Sequence, residues 1–436
     1  MNPGHDDAAL AQMLLPHLPP GAPRVLELAP APGALATRCV ELWPDAVWHR
    51  FDTLGDVRAA FSEPYDCVVV DSRSSALRDA ATALEALHEW TTPRARLICA
   101  WPNMGHIDML QRLVMGDMSY DAAGPLAAAH ARGFTPASAY KLLLDAGWLP
   151  DLKAQRRTEV PESVFSARLI AAAMALGLPR QTAQRNLGLQ TMVVVCEKLA
   201  LQPPSAATRY APFSVIVPVN RPFELALNIE RSPGLREVGA QVIPVVGARS
   251  AADAFERGAA QATQPWRLFV HQDVYFATGT GFMIAERLGT LQADGRHAAP
   301  VGFAGLHGEQ GPAGPVRYAG QVVDRTQLFD HPASSSAVSI DEFAIALHAD
   351  SPLAPDASLG WHLWATDLCL QALVLGGAPC GEILRVPLFH NSTTGYTLPA
   401  EFHESAQVLL DKYTHLSRVS TLCGLIERKV PQALAA

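Results

Sequence analysis

Several segments of this chain are apolar without interruption, and that restricts the fold more than any other feature. Cys67-Val68-Val69-Val70, Leu97-Ile98-Cys99-Ala100-Trp101 and Met192-Val193-Val194-Val195-Cys196 are of this kind, and Phe213-Ser214-Val215-Ile216-Val217-Pro218 and Trp266-Arg267-Leu268-Phe269-Val270 are nearly so, each with one polar residue. A strand with one wet face alternates apolar and polar residues; a strand buried on both faces does not. The runs therefore predict parallel sheets covered by helices on both sides. Helix-like segments lie between them, at Ala34–Trp43, Glu224–Ile229 and Ser250–Thr263. Shorter strands are predicted at Arg24–Leu28, Ala46–Phe51 and Val242–Gly247, the last interrupted by Pro244. In sheets of this type, ligands bind beyond the C-terminal strand ends.

The pattern is broken once, where residues 202–212 read Gln-Pro-Pro-Ser-Ala-Ala-Thr-Arg-Tyr-Ala-Pro. Proline and small residues end periodicity there. For 436 residues this predicts two α/β domains, at 1–202 and 213–436, joined by a linker at 203–212. Either half is long enough to bury a core. A formal charge of −8 gives no footprint of a nucleic-acid protein. Seven cysteines, none in a C-x-x-C pair, read as free thiols of a reducing compartment. Met1 to Asp7 lacks the basic region of a secretion signal, and no apolar run reaches the roughly 18 residues of a membrane span. A soluble cytoplasmic protein without a transmembrane segment is the expectation.

In the second half, the run Leu268-Phe269-Val270 delivers His271-Gln272-Asp273-Val274 at its C-terminal end. A carboxylate there sits in the sheet crevice, where a divalent cation needs oxygen ligands and a diphosphate supplies more. An Asp after a strand is also a common turn or helix cap. Further pieces follow in order: Ile340-Asp341-Glu342-Phe343, Gly360-Trp361-His362-Leu363-Trp364-Ala365-Thr366-Asp367-Leu368-Cys369-Leu370, and Pro387-Leu388-Phe389-His390-Asn391-Ser392. Together with Phe213–Pro218 and Ala248–Ala262, they resemble the family-2-like glycosyltransferases of GT-A fold, in the subgroup with His-Gln-Asp-Val in place of Asp-x-Asp. The resemblance spans residues 213–395 and implies a fold and roles. Asp273 would coordinate Mg²⁺ or Mn²⁺ bridging the diphosphate of a nucleotide-sugar, and His390 would complete that site. His271 and Gln272 would line the same turn. Pro218, Val219 and Asn220 would border base and ribose. Asp367 would be the general base of an inverting transfer, and Asp341 and Glu342 would lie near acceptor or sugar. The acceptor would be a glycan, a lipid-linked glycan or a protein. Read from the residues alone, Asp367 could simply begin a helix, and Trp361 and Trp364 could be core or a sugar platform. Glu256 departs from the family pattern, which often has Asn there; a carboxylate would repel a diphosphate unless it turns away.

In the first half, Arg24 to Gly33 reads Arg-Val-Leu-Glu-Leu-Ala-Pro-Ala-Pro-Gly. This resembles motif I of class I S-adenosylmethionine-dependent methyltransferases, with Glu27 as the acidic residue and Ala29, Ala31 and Gly33 at the three glycine positions. The resemblance implies a Rossmann-like methyltransferase fold that binds S-adenosylmethionine through Glu27, Ala29 and Gly33, with Asp52 on ribose hydroxyls and Asp71 at the crevice. Trp101–His106, Gly116–Tyr120, His130–Thr135 and Asp145–Trp148 extend it toward methyltransferases encoded beside glycan-assembly enzymes. Alanine at two glycine positions hinders close backbone approach to a ligand. An acceptor-binding or structural domain is the alternative, and His106 and His130 could touch a substrate or hold a loop.

The leading expectation is thus a metal-dependent glycosyltransferase fused to a methyltransferase-like domain. The competing readings are a methyltransferase whose second half binds glycan, and a scaffold of two retired folds.

Overall fold

The computed structural model describes residues 3–31, 33–119, 132–199, 209–307, 311–313, 316–317, 334–336, 339–375, 380–392 and 398–428. His130, most of the predicted linker, and residues 308–310 and 314–315 lie outside them. The described residues form two compact units divided between Gln202 and Pro203.

The first unit runs α1 (Pro3–Leu14), β1 (Arg24–Leu28), α2 (Ala34–Leu42), β2 (Val47–Phe51), α3 (Leu54–Ala60), β3 (Tyr65–Asp71), α4 (Ala80–Ala86), β4 (Thr91–Pro102), α5 (Ile107–Val114), α6 (Pro136–Asp145), β5 (Trp148–Arg157), α7 (Val164–Ala175), α8 (Arg180–Gly188) and β6 (Leu189–Lys198). Its sheet order is β2-β1-β3-β4-β6-β5. The strands β1 to β4 pair in parallel, and β6 runs antiparallel between β4 and β5. The uninterrupted runs occupy the central strands as their composition requires: Val68, Val70, Leu97, Ile98 and Val194 are all fully buried. This is the Rossmann-like α/β architecture expected for the unit. The chain leaves β1 for β2 on one side and returns to β3 on the other, so a crevice opens beyond the C-terminal ends of β1 and β3.

The second unit runs β7 (Phe213–Val219), α9 (Pro222–Leu227), α10 (Pro233–Glu237), β8 (Gln241–Val246), α11 (Ala251–Ala259), β9 (Trp266–Val270), β10 (Val274–Tyr275) and α12 (Thr280–Ala293). Short strands follow: β11 (Val301–Gly302), β12 (Gly305–His307), β13 (Gly311–Ala313), β14 (Val316–Arg317), β15 (Ser334–Ser336), β16 (Ser339–Ile340) and β17 (Ala344–His348). The chain ends with α13 (Trp364–Val374), β18 (Glu382–Leu384), β19 (Leu388–His390), α14 (Ala400–Lys412), β20 (Arg418–Thr421) and β21 (Gly424–Glu427).

Its main sheet has the order β15-β18-β11-β17-β9-β7-β8. The strands β8, β7 and β9 are parallel, and β17 pairs antiparallel with β9. Both faces are covered. Ile216 and Phe269 point into a core with Trp364, Leu368 and Leu409 of α13 and α14. Val215, Val217, Leu268 and Val270 point into the opposite core with Ile284, Leu288 and Leu291 of α12. Pro244 is tolerated because β8 is an edge strand and needs no second hydrogen-bonding neighbour. Ser250 caps α11, its Oγ accepting from the Asp253 N–H at 3.1 Å. Gly258 lets α11 lie directly on β7, since a Cβ there would come within 2.3 Å of Ile216 Cγ2. The second unit also has a switch point. From β7 the chain visits edge strand β8 and returns to β9 on the other side, leaving a crevice between Val219-Asn220 and His271-Gln272.

Candidate metal centre and the two strand-end crevices

Backbone pairing assembles the second unit's site. Val274 faces His390 in the β10–β19 ladder, and the Asn391 N–H donates to the Asp273 carbonyl at 2.9 Å. This register sets His390 Nε2 at 3.2 Å from Asp273 Oδ1. The His271 N–H is held by the Phe343 carbonyl at 2.8 Å, and the His271 ring meets the His390 ring edge-on at 5.5 Å. Phe343 stacks on the other side of His390 at 5.0 Å. One ligand atom from each of His271, Asp273 and His390 lies within 4.8 Å of the others. Two imidazoles and a carboxylate thus converge at the C-terminal end of β9.

Charge within the site follows from that packing. Burial alone would push the Asp273 carboxyl up, but the charge and hydrogen bond of His390, with His271 nearby, hold it at about 2. Burial would likewise depress His390, yet Asp273, then Asp341 and Glu224, raise it above the ordinary imidazole value. Burial wins at His271 and lowers it, against the pull of Asp273. Asp273 thus favours the proton on His390, while burial disfavours one on His271.

Gln272 ties the two edges of the crevice together. Its Oε1 accepts from the N–H groups of Asn220 and Arg221 at 3.1 and 3.0 Å, and its Nε2 donates to Asn220 Oδ1 at 2.5 Å. Pro218 and Val219 end β7 beside it, while Asn220 is exposed. Gln272 thereby positions the end of β7. Glu256 lies on the exposed side of α11.

Asp341 and Glu342 were legible as a pair, though not their roles. Asp341 acts electrostatically on both His271 and His390. Glu342 is pushed up to about 7 by burial and by the charge of Asp341, and its Oε1 accepts the Leu363 N–H. Leu363 has φ of 64°, the one non-glycine residue with positive φ among the described residues. Strained backbone of this kind persists only where its surroundings hold it. Here a buried carboxylate holds it, just ahead of α13.

Asp367 is placed elsewhere. It is fully buried in the first turn of α13, and its carboxylate accepts from Tyr413 Oη at 2.8 Å, Gln371 Nε2 at 2.6 Å and Lys412 Nζ at 2.9 Å. Those partners anchor α14 to α13. The structure brings Asp273 and His390 together but not Asp367 with them, because the helix turns its carboxylate toward α14. Trp364 is core, edge-on to Phe269 at 4.9 Å, whereas Trp361 is 40% exposed.

The first unit's crevice is lined by Leu10, Ala11 and Leu14 of α1 with Glu27, Gly33, Asp71 and Arg73. Its volume is about 40 Å³, against the several hundred Å³ usual for nucleoside-sized ligands. Each acid expected to touch a cofactor has an internal partner. Glu27 accepts from Trp48 Nε1 at 2.9 Å. Asp52 accepts from the Ser75 N–H and Oγ at 2.8 and 2.6 Å. Both Asp71 oxygens face the Arg73 guanidinium. Ala29 is buried and continues the ladder to Phe51. Gly33 has φ of −100°, a conformation open to any residue. His106 is buried, caps α5 and bonds Thr158 Oγ1 at 2.6 Å, so it holds a loop.

No protein-family model matches the chain, and no curated protein matches it. Among solved structures, it is similar to a SAM-dependent methyltransferase from Archaeoglobus fulgidus at 14% identity, over 44% of this chain and 94% of that one, with a TM-score of 0.30. It is also similar to a cyclopropane synthase from Mycobacterium tuberculosis at 12% identity, over 44% and 84%, TM-score 0.27. A possible histamine N-methyltransferase from Thermotoga maritima gives 12% identity over 45% and 90%, TM-score 0.27. These likenesses span less than half of this chain.

Proposed function

We propose that the second unit is a metal-dependent glycosyltransferase of GT-A type, transferring a sugar from a nucleotide-sugar to an acceptor hydroxyl. The observation that carries this reading is the convergence of His271, Asp273 and His390 at the β7/β9 switch point, beside Pro218, Val219 and Asn220. The donor set bears on the cation. Mg²⁺ prefers an all-oxygen shell, whereas two imidazoles and one carboxylate suit Mn²⁺ or a later transition metal. Of the two ions expected from the sequence, this donor set favours Mn²⁺ over Mg²⁺. When bound, such a cation stabilises a diphosphate leaving group.

The protein's own groups prepare the rest. His271 and ionised Asp273 present lone pairs, and His390 joins them once its proton leaves. Gln272 keeps the nucleotide side of the crevice in place. Proton acceptance from the acceptor hydroxyl is assigned to the Asp341–Glu342 pair. A carboxyl near 7 is matched to that task at neutral pH, and Asp367 is already committed to Lys412 and Tyr413.

Calorimetric titration of UDP, GDP and dTDP, with and without Mn²⁺, against wild type and Asp273→Ala tests this. The expected result is Mn²⁺-dependent binding of one nucleotide, absent in the variant. No binding of any of them would remove the reading.

A second reading has its own observation, the β1/β3 switch point lined by Glu27, Gly33 and Asp71. It is S-adenosylmethionine-dependent methyl transfer by the first unit. That activity requires α1 and the Arg73–Asp71 pair to move aside, since the crevice as built is too small. S-adenosylmethionine titration separates it from a structural or acceptor-binding domain.

A further inference from the structure

We propose that His297, His348 and Asp350 form a second transition-metal site, of the Zn²⁺ class, at the opposite end of the sheet from the first. One ligand atom from each lies within 4.8 Å of the others. His348 closes β17 and pairs with Trp266 at the start of β9, whereas His271 follows the end of that strand. Five strand residues separate the two places by about 15 Å. The sites are therefore distinct.

Two observations point to a ligand. His348 is 6% exposed, and its Nε2 is buried without a hydrogen-bond partner; so is Nδ1 of His297. Buried imidazole nitrogens ordinarily find partners. The two rings approach edge-on at 4.6 Å, and Trp266 also meets His348 edge-on at 5.1 Å. Arg267, whose β9 position pairs with Leu347 next to His348, brings a positive charge to this end of the strand. The carboxylate of Asp350, 3.6 Å from His348 Nδ1, is the negative charge that offsets Arg267 for an incoming cation.

Two imidazole nitrogens and one carboxylate oxygen suit Zn²⁺, Co²⁺ or Ni²⁺, with the remaining position left to solvent. The ion would staple two pieces of chain. His297 lies in the loop leaving α12, His348 ends β17, and Asp350 lies in the turn that follows. Those pieces already touch through Ser351 Oγ, which donates to the Ala298 carbonyl at 2.7 Å. Metal would stabilise this lower edge of the sheet by binding only the folded arrangement.

The test uses the full chain carrying Asp273→Ala, so that the first centre does not contribute. Zn²⁺ is equilibrated by dialysis and counted by metal analysis, with thermal melting alongside. One equivalent should bind and raise the melting temperature. His348→Gln and His297→Gln should each lose one equivalent relative to the parent. Asp350→Asn, at a side chain 79% exposed, leaves the core intact and should weaken binding at least about tenfold. No bound Zn²⁺ in the parent would overturn the proposal. So would an equivalent that survives both histidine substitutions, or an unchanged affinity in Asp350→Asn.

Discussion

At the residue scale, one carboxylate separates two jobs that the sequence could not separate. Asp273 follows an apolar strand and Asp367 precedes an apolar helix stretch, yet both fit an acidic position in the same resemblance. Only their neighbours distinguish them: Asp273 meets two imidazoles, whereas Asp367 meets an ammonium, a phenol and an amide. Asp367→Ala should therefore act on stability. It takes from Lys412 one of its two carboxylates, Asp356 at 2.8 Å being the other, and from the buried Tyr413 hydroxyl its carboxylate acceptor; with Lys412 about a third exposed, the cost is about 2–3 kcal/mol. That lowers the melting temperature by roughly 5–10 °C in a unit of this size. Nucleotide binding measured below the transition should be unchanged; its loss there would return Asp367 to the site. The first centre also carries a pH signature. His390 is raised, so its proton stays on to a higher pH than that of a free imidazole. Mn²⁺ must displace that proton. Affinity should be flat above the His390 pKa and fall about tenfold per pH unit below it. A pH series of Mn²⁺ titrations checks the slope, and a flat series would remove His390 from the ligand set.

At the element scale, most of the strands and helices were legible, for a physical reason. Runs such as Val68–Val70 and Val215–Val217 are buried on both faces, so composition alone marks them. Boundaries moved by a few residues: the segment 250–263 gives a helix over Ala251–Ala259, and Glu224–Ile229 becomes Pro222–Leu227 followed by a single turn at Ile229–Arg231. The pairing of β10 with β19 was not legible, though it brings His390 to Asp273. It joins residues 116 positions apart through a two-residue strand, and nothing in Val274-Tyr275 announces a partner. The hold of Glu342 on Leu363 was hidden for the same reason, since a positive φ at leucine leaves no trace in composition. Gly258 shows the reverse, a lone helical glycine whose purpose appears once α11 is laid on β7. Gly258→Ala should cost about 1–3 kcal/mol, because Ile216 is branched at Cβ and buried and cannot swing clear. A urea titration measures it, and a neutral result would mean that α11 rides more loosely on β7 than its packing indicates.

At the scale of the whole molecule, the two units share an architecture and differ in what occupies their strand-end crevices. In each, the chain reverses direction across the sheet and leaves a gap beyond the parallel strands. In the first unit, α1 and the Arg73–Asp71 pair fill the gap, and each of its acids is bonded to an internal donor. In the second, the gap holds two imidazoles and an ionised carboxylate whose mutual pairing a cation would replace. Ligands should therefore act on the units unequally. A ligand that binds only the folded state adds about 2.7 kcal/mol at a hundred times its dissociation constant. For a unit near 200 residues that is a rise of roughly 5–10 °C. Mn²⁺ with its nucleotide should raise the melting of the second unit by this amount. The readout should come from that unit, for example hydrogen exchange in β7 and β9, while exchange in β1 and β3 stays unchanged. S-adenosylmethionine at comparable concentration should leave both unchanged if the filled crevice is the resting structure of the first unit. Protection of β1 and β3 by S-adenosylmethionine would instead show that α1 opens to admit a cofactor, and would make methyl transfer the activity of the first unit.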